Sequence, residues 1–368
     1  MELTKNPSTT YNLKVLLGSL IRYARLHYSL FGRIEGELMQ KPTEDVFNRT
    51  SGTFKTFLEQ EKLTPLIPLF LISHAGQGYG YIDEIGALYG LMWNTPNLVL
   101  SLALLSIGIK QDPFRVYVFK DGFENVWNTV VNRERFDIRF LASIQNIDRN
   151  ENGVKINYRD SMSKEHTENC GFLIWTPPMP DLLQYLTRPT QEETRLFTSL
   201  TPHIFVSTLI KGQKNMPNSP KIFFRQALED KIEGGVTSDG DIETVLDYCE
   251  KDCSSADLKY RNVPGFNNIR NLHQLRKTAI NEIESNEIIR NYYKNGYNAT
   301  DIEILDTLTW QYFYKWNPDE LTQGNHWKVF DIQGMNRTWY AGASVSFESV
   351  KSVMEYNKLL LRQFGESN

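Results

Sequence analysis

The residues with the clearest chemical potential lie in positions 337–361, RTWYAGASVSFESVKSVMEYNKLLL. Residues 338–341 form a short apolar run that suits a buried strand. Gly342 breaks it, and Ala343-Ser344-Val345-Ser346 makes a small polar turn. A helical pattern comes next, with Phe347, Val350, Val353, Met354 and Leu361 sharing one face at spacings of three and four. Ser346 stands where an N-cap hydroxyl accepts from a first-turn amide, and Val345 and Val350 occupy the two positions of a hydrophobic staple. Glu348 falls in the first turn, where the helix dipole favours negative charge. Strand, glycine turn and helix N-terminus together aim backbone amides at an electron-rich ligand. The competing reading is an ordinary βα unit that binds nothing, and on this stretch alone it is the favoured one.

Other residues offer less. His74-Ala-Gly76-Gln-Gly78-Tyr-Gly80 follows the apolar residues 68–72 and imitates a dinucleotide-binding loop. That fingerprint needs a further glycine, where Tyr81 stands, and an acidic residue about 20 positions on, where the chain is rich in leucine. These glycines are read as packing positions. Cys170, Cys249 and Cys253 do not make a disulfide framework, and no histidine or second cysteine pair completes a metal site. His203 and His273 lack partners at ligand spacing and read as structural. Residues 308–316, LTWQYFYKW, are dense in aromatics, with a core stripe and a cavity wall as competing readings.

The elements that would position these residues can be read in order. The chain has 368 residues, 40% of them hydrophobic and 23% charged, with net charge −4. These are the proportions of a soluble globular protein of two or three domains, or of one two-lobed enzyme. Interspersed charge argues against nucleic acid as a partner, and the longest apolar run, 97–109, is too short to span a bilayer. Sequons occur at Asn48, Asn298 and Asn336, with no signal peptide ahead of them. Residues 12–31 read as an amphipathic helix with Leu13, Leu16, Leu17, Leu20, Ile21, Ala24, Tyr28 and Phe31 on one side. Residues 51–63 read as a helix that buries Phe54, Phe57 and Leu58, and 81–93 and 97–109 as two more. Strands are expected at 116–119, 136–147 (with Ile138, Phe140, Ala142 and Ile144 alternating), 154–158, 171–175 and 204–211, with a turn at 150–153. The acidic residues 239–257 lack calcium-loop spacing and read as a solvated helix face.

The 337–361 segment resembles the C-terminal cofactor piece of the FAD-dependent oxidoreductases that include flavin amine oxidases, protoporphyrinogen oxidases and phytoene desaturases. Their pattern is an apolar strand, Ala-Gly, a short polar turn and a long closing helix. Asp121-Gly122-Phe123-Glu124-Asn125-Val126-Trp127 is similar to the turn at which that family's chain leaves its substrate lobe and returns to its FAD lobe. The resemblance implies an α/β fold, α+β in the substrate lobe. An incomplete Rossmann-like FAD lobe is joined to a mixed helical and β substrate lobe, and both are discontinuous in sequence. The divisions it implies are 1–115, substrate lobe, first part; 116–180, FAD-lobe meander; 181–320, substrate lobe, second part; and 321–368, FAD-lobe strand and helix.

The resemblance also implies roles for individual residues. Gly342 would allow close backbone approach, Ala343 and Ser344 would line the ribityl chain, and the amides of Phe347 and Glu348 would face the flavin ring. Ile144 would offer its backbone to the adenine end, and Thr176 and Pro177 would mark the exit from the strand that returns to the cofactor. Tyr312, Phe313 and Trp316 would line the substrate cavity. The implied activity is hydride transfer from a C–H bond of a small organic substrate to flavin N5. Two departures stand out. Many members carry an acidic residue where Ala343 stands, and the lysine that many amine oxidases hold near N5 has no clear counterpart, Lys211 being close in sequence without aligning. The family also opens on a strand, GxGxxG and a helix, and none is found in this chain. The expectation is therefore a fragment or truncated gene model, or a degenerate protein that no longer binds FAD.

Overall fold

The computed structural model describes residues 13–33, 39–75, 77–106, 119, 122–211, 222–224, 242–247, 255–260 and 303–366. The first part is helical: α1 (Leu13–Phe31), α2 (Glu44–Arg49), α3 (Phe54–Gln60), α4 (Ile67–Ala75), α5 (Ala87–Trp93) and α6 (Pro96–Ser106). Phe54, Phe57 and Leu58 are fully buried in α3, as their spacing requires. Helix α3 packs against α5 at Gly90, where an added Cβ would fall 2.2 Å from the Phe54 ring.

Helix α1 buries its leucine stripe only in part, with Leu16 and Leu20 half-buried against the core. Leu17 and Ile21 are exposed, whereas Ser19, Tyr23, Leu26 and His27 are buried. Polar anchoring accounts for the rotation. The Tyr23 hydroxyl donates to the Asn94 carbonyl at 2.5 Å, and His27 Nε2 lies 3.0 Å from the Leu91 carbonyl. Two buried backbone acceptors at the end of α5 are thereby satisfied, and leaving them bare would cost about 1–3 kcal/mol each. The helix expected over 81–93 begins only at Ala87, after a hydrogen-bonded turn in which Glu84 and Ile85 donate to the Tyr81 carbonyl.

Where a turn resembling a lobe crossing was expected, Gly122 (φ +81°) opens α7 (Phe123–Glu134). None of the residues of α7 is buried, Phe123 and Trp127 included. Of the strand expected at 116–119, only Phe119 is among the described residues, and it is in no strand. The strand expected over 136–147 starts later, as β1 (Ser143–Asn150), and leaves Phe136, Ile138 and Phe140 exposed ahead of it. With β2 (Gly153–Arg159) and β3 (Glu165–Cys170) it forms an antiparallel meander in the order β1-β2-β3. The polar strand β3, EHTENC, carries no apolar alternation and was invisible to pattern reading.

A second sheet joins β4 (Leu173–Trp175) to β10 (Thr338–Tyr340) in parallel, with Thr338 opposite Leu173 and Tyr340 opposite Trp175. The third sheet is antiparallel. It contains β5 (Thr201–Lys211), β6 (Ile222–Phe224), β7 (Ile242–Asp247), β8 (Ser255–Tyr260) and β9 (Glu303–Lys315), in the order β6-β7-β8-β5-β9. The acidic residues 239–257 thus contribute strands β7 and β8 instead of a helix face. His273, Cys249 and Cys253 lie outside the described residues. Between β4 and β5 stand α8 (Met179–Leu183) and α9 (Gln191–Thr198), the latter opened by a capping box between Thr190 and Glu193.

Glu193 does more than cap. Its carboxylate accepts from Arg149 Nη2 at 2.6 and 2.5 Å, and also from the Tyr340 hydroxyl. The Arg149 and Glu193 side chains are 2% and 1% exposed. One buried cluster therefore ties the meander, α9 and β10 together. Burial raises the Glu193 carboxyl, and the hydrogen bonds from Arg149, Tyr340 and the Thr190 amide outweigh it, leaving the group below the usual glutamate range.

Buried histidines give the fold an acid sensitivity. Burial depresses His74 to about 3 and His326 to about 4. Below the ordinary histidine value of about 6.5 the unfolded chain binds protons that the folded chain does not, so folding weakens as pH falls. Thermal melts should show stability declining from pH 7 towards pH 5, and His74→Asn should flatten part of that slope.

Candidate cofactor-binding turn and its aromatic wall

Strand β10 is buried along its whole length, as its apolar composition requires. Its outer edge is closed by a side chain. Gln333 Nε2 donates to the Tyr340 carbonyl at 2.8 Å, and Gln333 Oε1 accepts from the Tyr340 amide at 2.8 Å, so the amide group imitates a neighbouring strand. The same Nε2 donates to the Tyr356 hydroxyl at 2.8 Å. On the inner edge the pairing with β4 continues for one residue, with the Ala341 amide donating to the Trp175 carbonyl at 3.0 Å.

Gly342 then turns the chain at φ +94° and ψ −171°, a combination open essentially only to glycine. An added Cβ would stand 2.7 Å from the Thr176 carbonyl oxygen. Two expected site residues from opposite halves of the sequence therefore touch. Thr176 and Pro177 are both exposed where the chain leaves β4, and the Trp175 indole closes that corner by donating to the Pro178 carbonyl at 3.1 Å.

Beyond Gly342 the structure departs from the expected polar turn. Residues Ala343–Ser346 form a short helix, and the Ser346 hydroxyl donates to the Gly342 carbonyl at 3.0 Å instead of capping the closing helix. Phe347 breaks the chain again at φ +130° and ψ 156°. The closing helix runs over Val350–Glu366, with Ser349 Oγ accepting from the Ser352 amide at 3.0 Å. Its inward face is Ser352, Tyr356 and Leu360, while Val350, Met354 and Leu361 are 61%, 57% and 70% exposed. The expected staple between Val345 and Val350 is therefore absent. Glu348 precedes the helix, so it does not complement a dipole. Of the two amides expected to face a ring, that of Phe347 already donates to the Ala343 carbonyl at 3.0 Å.

Two features of the turn stand out, the approach of Gly342 to the Thr176 carbonyl and the Ser344 side chain. The Ser344 hydroxyl is buried and has no hydrogen-bond partner. Ile144 sits half-buried at a bulge in β1, paired with Tyr158 and packed on the core.

Phe347 is the hub of an aromatic wall, at 5.4 Å from Tyr79, 5.4 Å from Phe313, 6.2 Å from Trp93 and 6.3 Å from Tyr89, ring centre to ring centre. Tyr312 lies half-buried beside it, stacked on Tyr79 at 5.9 Å. Phe313 is buried in this cluster at a left-handed φ of +46°. Trp316 is core: it is fully buried, and its indole donates to the Leu196 carbonyl at 3.2 Å. Tyr79, Tyr89 and Trp93 escaped sequence reading. The one available signal was the Gly78-Tyr79-Gly80 loop, whose glycines take φ of +78° and +84° and so place Tyr79 against the wall. Burial lowers the Lys315 amine to about 8, against the opposing charge of Glu84, and its Nζ stands 5.7 Å over the Phe313 ring. An amine so tuned can exchange a proton near neutral pH.

The chain is similar in fold to several solved enzymes. A CLA-producing fatty acid isomerase from P. acnes superposes with TM-score 0.75 at 17% identity, covering 98% of this chain and 77% of that one. A putrescine oxidase bound to putrescine gives 0.61 at 11% identity, covering 97% and 77%. An oxidoreductase from Methanosarcina mazei gives 0.57 at 11%, covering 97% and 74%. No protein-family model matches the chain, and no curated protein does. At these identities the likeness defines a class by fold, a mixed helix and strand architecture shared with oxidases and an isomerase. Among the described residues no helix is long and apolar enough to cross a membrane, and no cluster of metal-ligating side chains occurs.

Proposed function

We propose that this chain is an FAD-dependent oxidoreductase of the amine oxidase-like superfamily, acting on a small organic substrate. The observation that carries the reading is the meeting of Gly342 with Thr176 at a backbone approach that excludes any side chain. When bound, the flavin supplies the hydride acceptor for a substrate C–H bond. Gly342 lets the cofactor's chain lie against the backbone, Ser344 donates to or accepts from its hydroxyls, and Tyr312 with the Phe347 cluster excludes water from the reacting end. Ile144 and Pro177 remain assigned to the cofactor's path by resemblance alone. The three boundaries at 115, 180 and 320 likewise stand as the lobe boundaries of this reading. The fold shared with a fatty acid isomerase and a putrescine oxidase supports this reading.

We further propose that the β4–β10 sheet is completed by another strand carrying phosphate-binding amides, within a longer protein or from a partner. Gln333 closes the β10 edge, whereas Phe172 and Ile174 beside the β4 edge are 45% and 54% exposed. Among the described residues β4 pairs only with β10, and an edge left unpaired beside apolar surface is a pairing site. The second reading, a binding protein that has lost FAD, is favoured by the engaged Phe347 amide and by Ala343 in place of an acidic residue. The visible spectrum of the purified chain with added FAD decides between them. A bound, perturbed flavin spectrum that survives gel filtration supports the oxidoreductase. A chain that stays colourless supports the second reading, or a chain that needs the further phosphate-binding strand before it holds FAD.

A further inference from the structure

Helix α7 turns its apolar face to solvent. Phe123, Trp127 and Val130 recur at spacings of four and three and share one stripe, while Asn125, Asn128 and Asn132 take the opposite side. The rings run on from one another: Phe119 lies 5.6 Å from Phe123, and Phe123 lies 5.8 Å from Trp127, centre to centre. After the helix the Phe136 amide donates to the Val131 carbonyl at 3.4 Å, and Phe136, Phe140 and Leu141 prolong the exposed strip.

The side chains of Phe119, Phe123, Trp127, Phe136 and Phe140 are all more than half exposed. An aromatic side chain presents about 150–250 Å², so with Val130 and Leu141 the strip offers on the order of 800 Å². The largest apolar patch of a monomer is about 300–600 Å², and a stable protein interface takes about 800 Å² from each partner.

The charges around the strip select its occupant. Glu124, Glu134 and Asp137 balance Arg133, Arg135 and Arg139, all of them exposed, so no net charge draws this face to an anionic lipid surface. Their order is instead self-complementary. Glu124 stands in the first turn of α7, and about three turns later Arg135 returns to the same flank. A two-fold axis passing between Thr129 and Val130 lays a second α7 antiparallel on the first. It sets Phe123 level with the second copy's Phe136, Glu124 level with its Arg135, and Trp127 within a turn of its Val130. Each of these pairings then occurs twice, as an isologous contact requires.

We propose that this chain forms a two-fold symmetric dimer in which α7 of one copy packs antiparallel on α7 of the other. The dimer is independent of the FAD reading, since none of these residues belongs to the turn at Gly342.

Sedimentation of the full chain tests the dimer. The wild type should run at twice the mass of one chain, and Trp127→Asp at the mass of one. Because Trp127 is exposed, the variant should keep the far-ultraviolet circular dichroism of the wild type. Charge exchange tests the register. Glu124→Arg and Arg135→Glu should each weaken the dimer several-fold by setting like charges together, and the double variant should recover most of that loss. A wild type of single-chain mass overturns the proposal, and flotation of that monomer with phosphatidylcholine vesicles would give the face to a lipid surface instead. A doubled mass that survives Trp127→Asp places the dimer contact elsewhere and overturns it as well. A double variant no stronger than the single ones overturns the antiparallel register.

Discussion

Replacing Glu193 by alanine should destabilise the protein by about 3–5 kcal/mol, because it strands the Arg149 guanidinium in a buried site. Arg149 has no aqueous alternative: its side chain is 2% exposed, and its remaining partner is the Tyr340 hydroxyl at 3.3 Å. The variant also loses the capping-box contact to the Thr190 amide, which is 2.7 Å in the intact protein. Chemical denaturation checks the size of the loss. The double variant Glu193→Ala with Arg149→Met should recover most of it, since no unpaired charge is then buried. A loss below about 1 kcal/mol in the single variant would mean that solvent reaches the pair. The native pair should also weaken on acidification. Its carboxyl lies below the ordinary glutamate range, so its contribution is present above that range and lost as pH falls through the folded value.

Gly342→Ala should be the most damaging single-methyl change near the turn. The φ of +94° with ψ of −171° costs an alanine about 1–3 kcal/mol in backbone strain. The new Cβ must also displace the Thr176 carbonyl from 2.7 Å, and that carbonyl belongs to backbone that cannot rotate away. The displacement acts on the junction of β4 with β10, so the turn moves and Ser344 moves with it. The control is Gly171→Ala, just ahead of β4, where an added Cβ meets nothing within 4 Å. Thermal melts should separate the two by several degrees, with Gly171→Ala near the wild type. Equal melting temperatures for the two variants would contradict the close approach.

Much of this framework was legible from local pattern. Residues 338–341 suited a buried strand, which runs over Thr338–Tyr340, and Gly342 suited a turn. Phe54, Phe57 and Leu58 had to face a core. Pattern failed where one polar contact outweighed several apolar ones. In the closing helix the Tyr356 hydroxyl reaches Gln333, which turns Ser352 and Leu360 inward and leaves Val350, Met354 and Leu361 facing out. In α1 the hydrogen bonds of Tyr23 and His27 rotate the helix in the same way. Hydrophobic periodicity weighs burial and is blind to the partner that a hydroxyl will find. The parallel pairing of β4 with β10 joins residues far apart in sequence, and only the resemblance brought them together beforehand. Glu348 illustrates a further limit. Its placement in a helical first turn assumed a charged carboxylate in water, whereas the fold starts the helix later and buries the group, raising it to about 7.

The most direct test of the cofactor reading is an FAD titration followed by flavin fluorescence on the wild type, Gly342→Ala and Gly171→Ala. Saturable binding by the wild type and Gly171→Ala, weakened at least about tenfold in Gly342→Ala, equivalent to roughly 1.4 kcal/mol, is the predicted outcome. Binding that is absent from all three, or equally strong in all three, contradicts a flavin site at the turn where Gly342 meets Thr176.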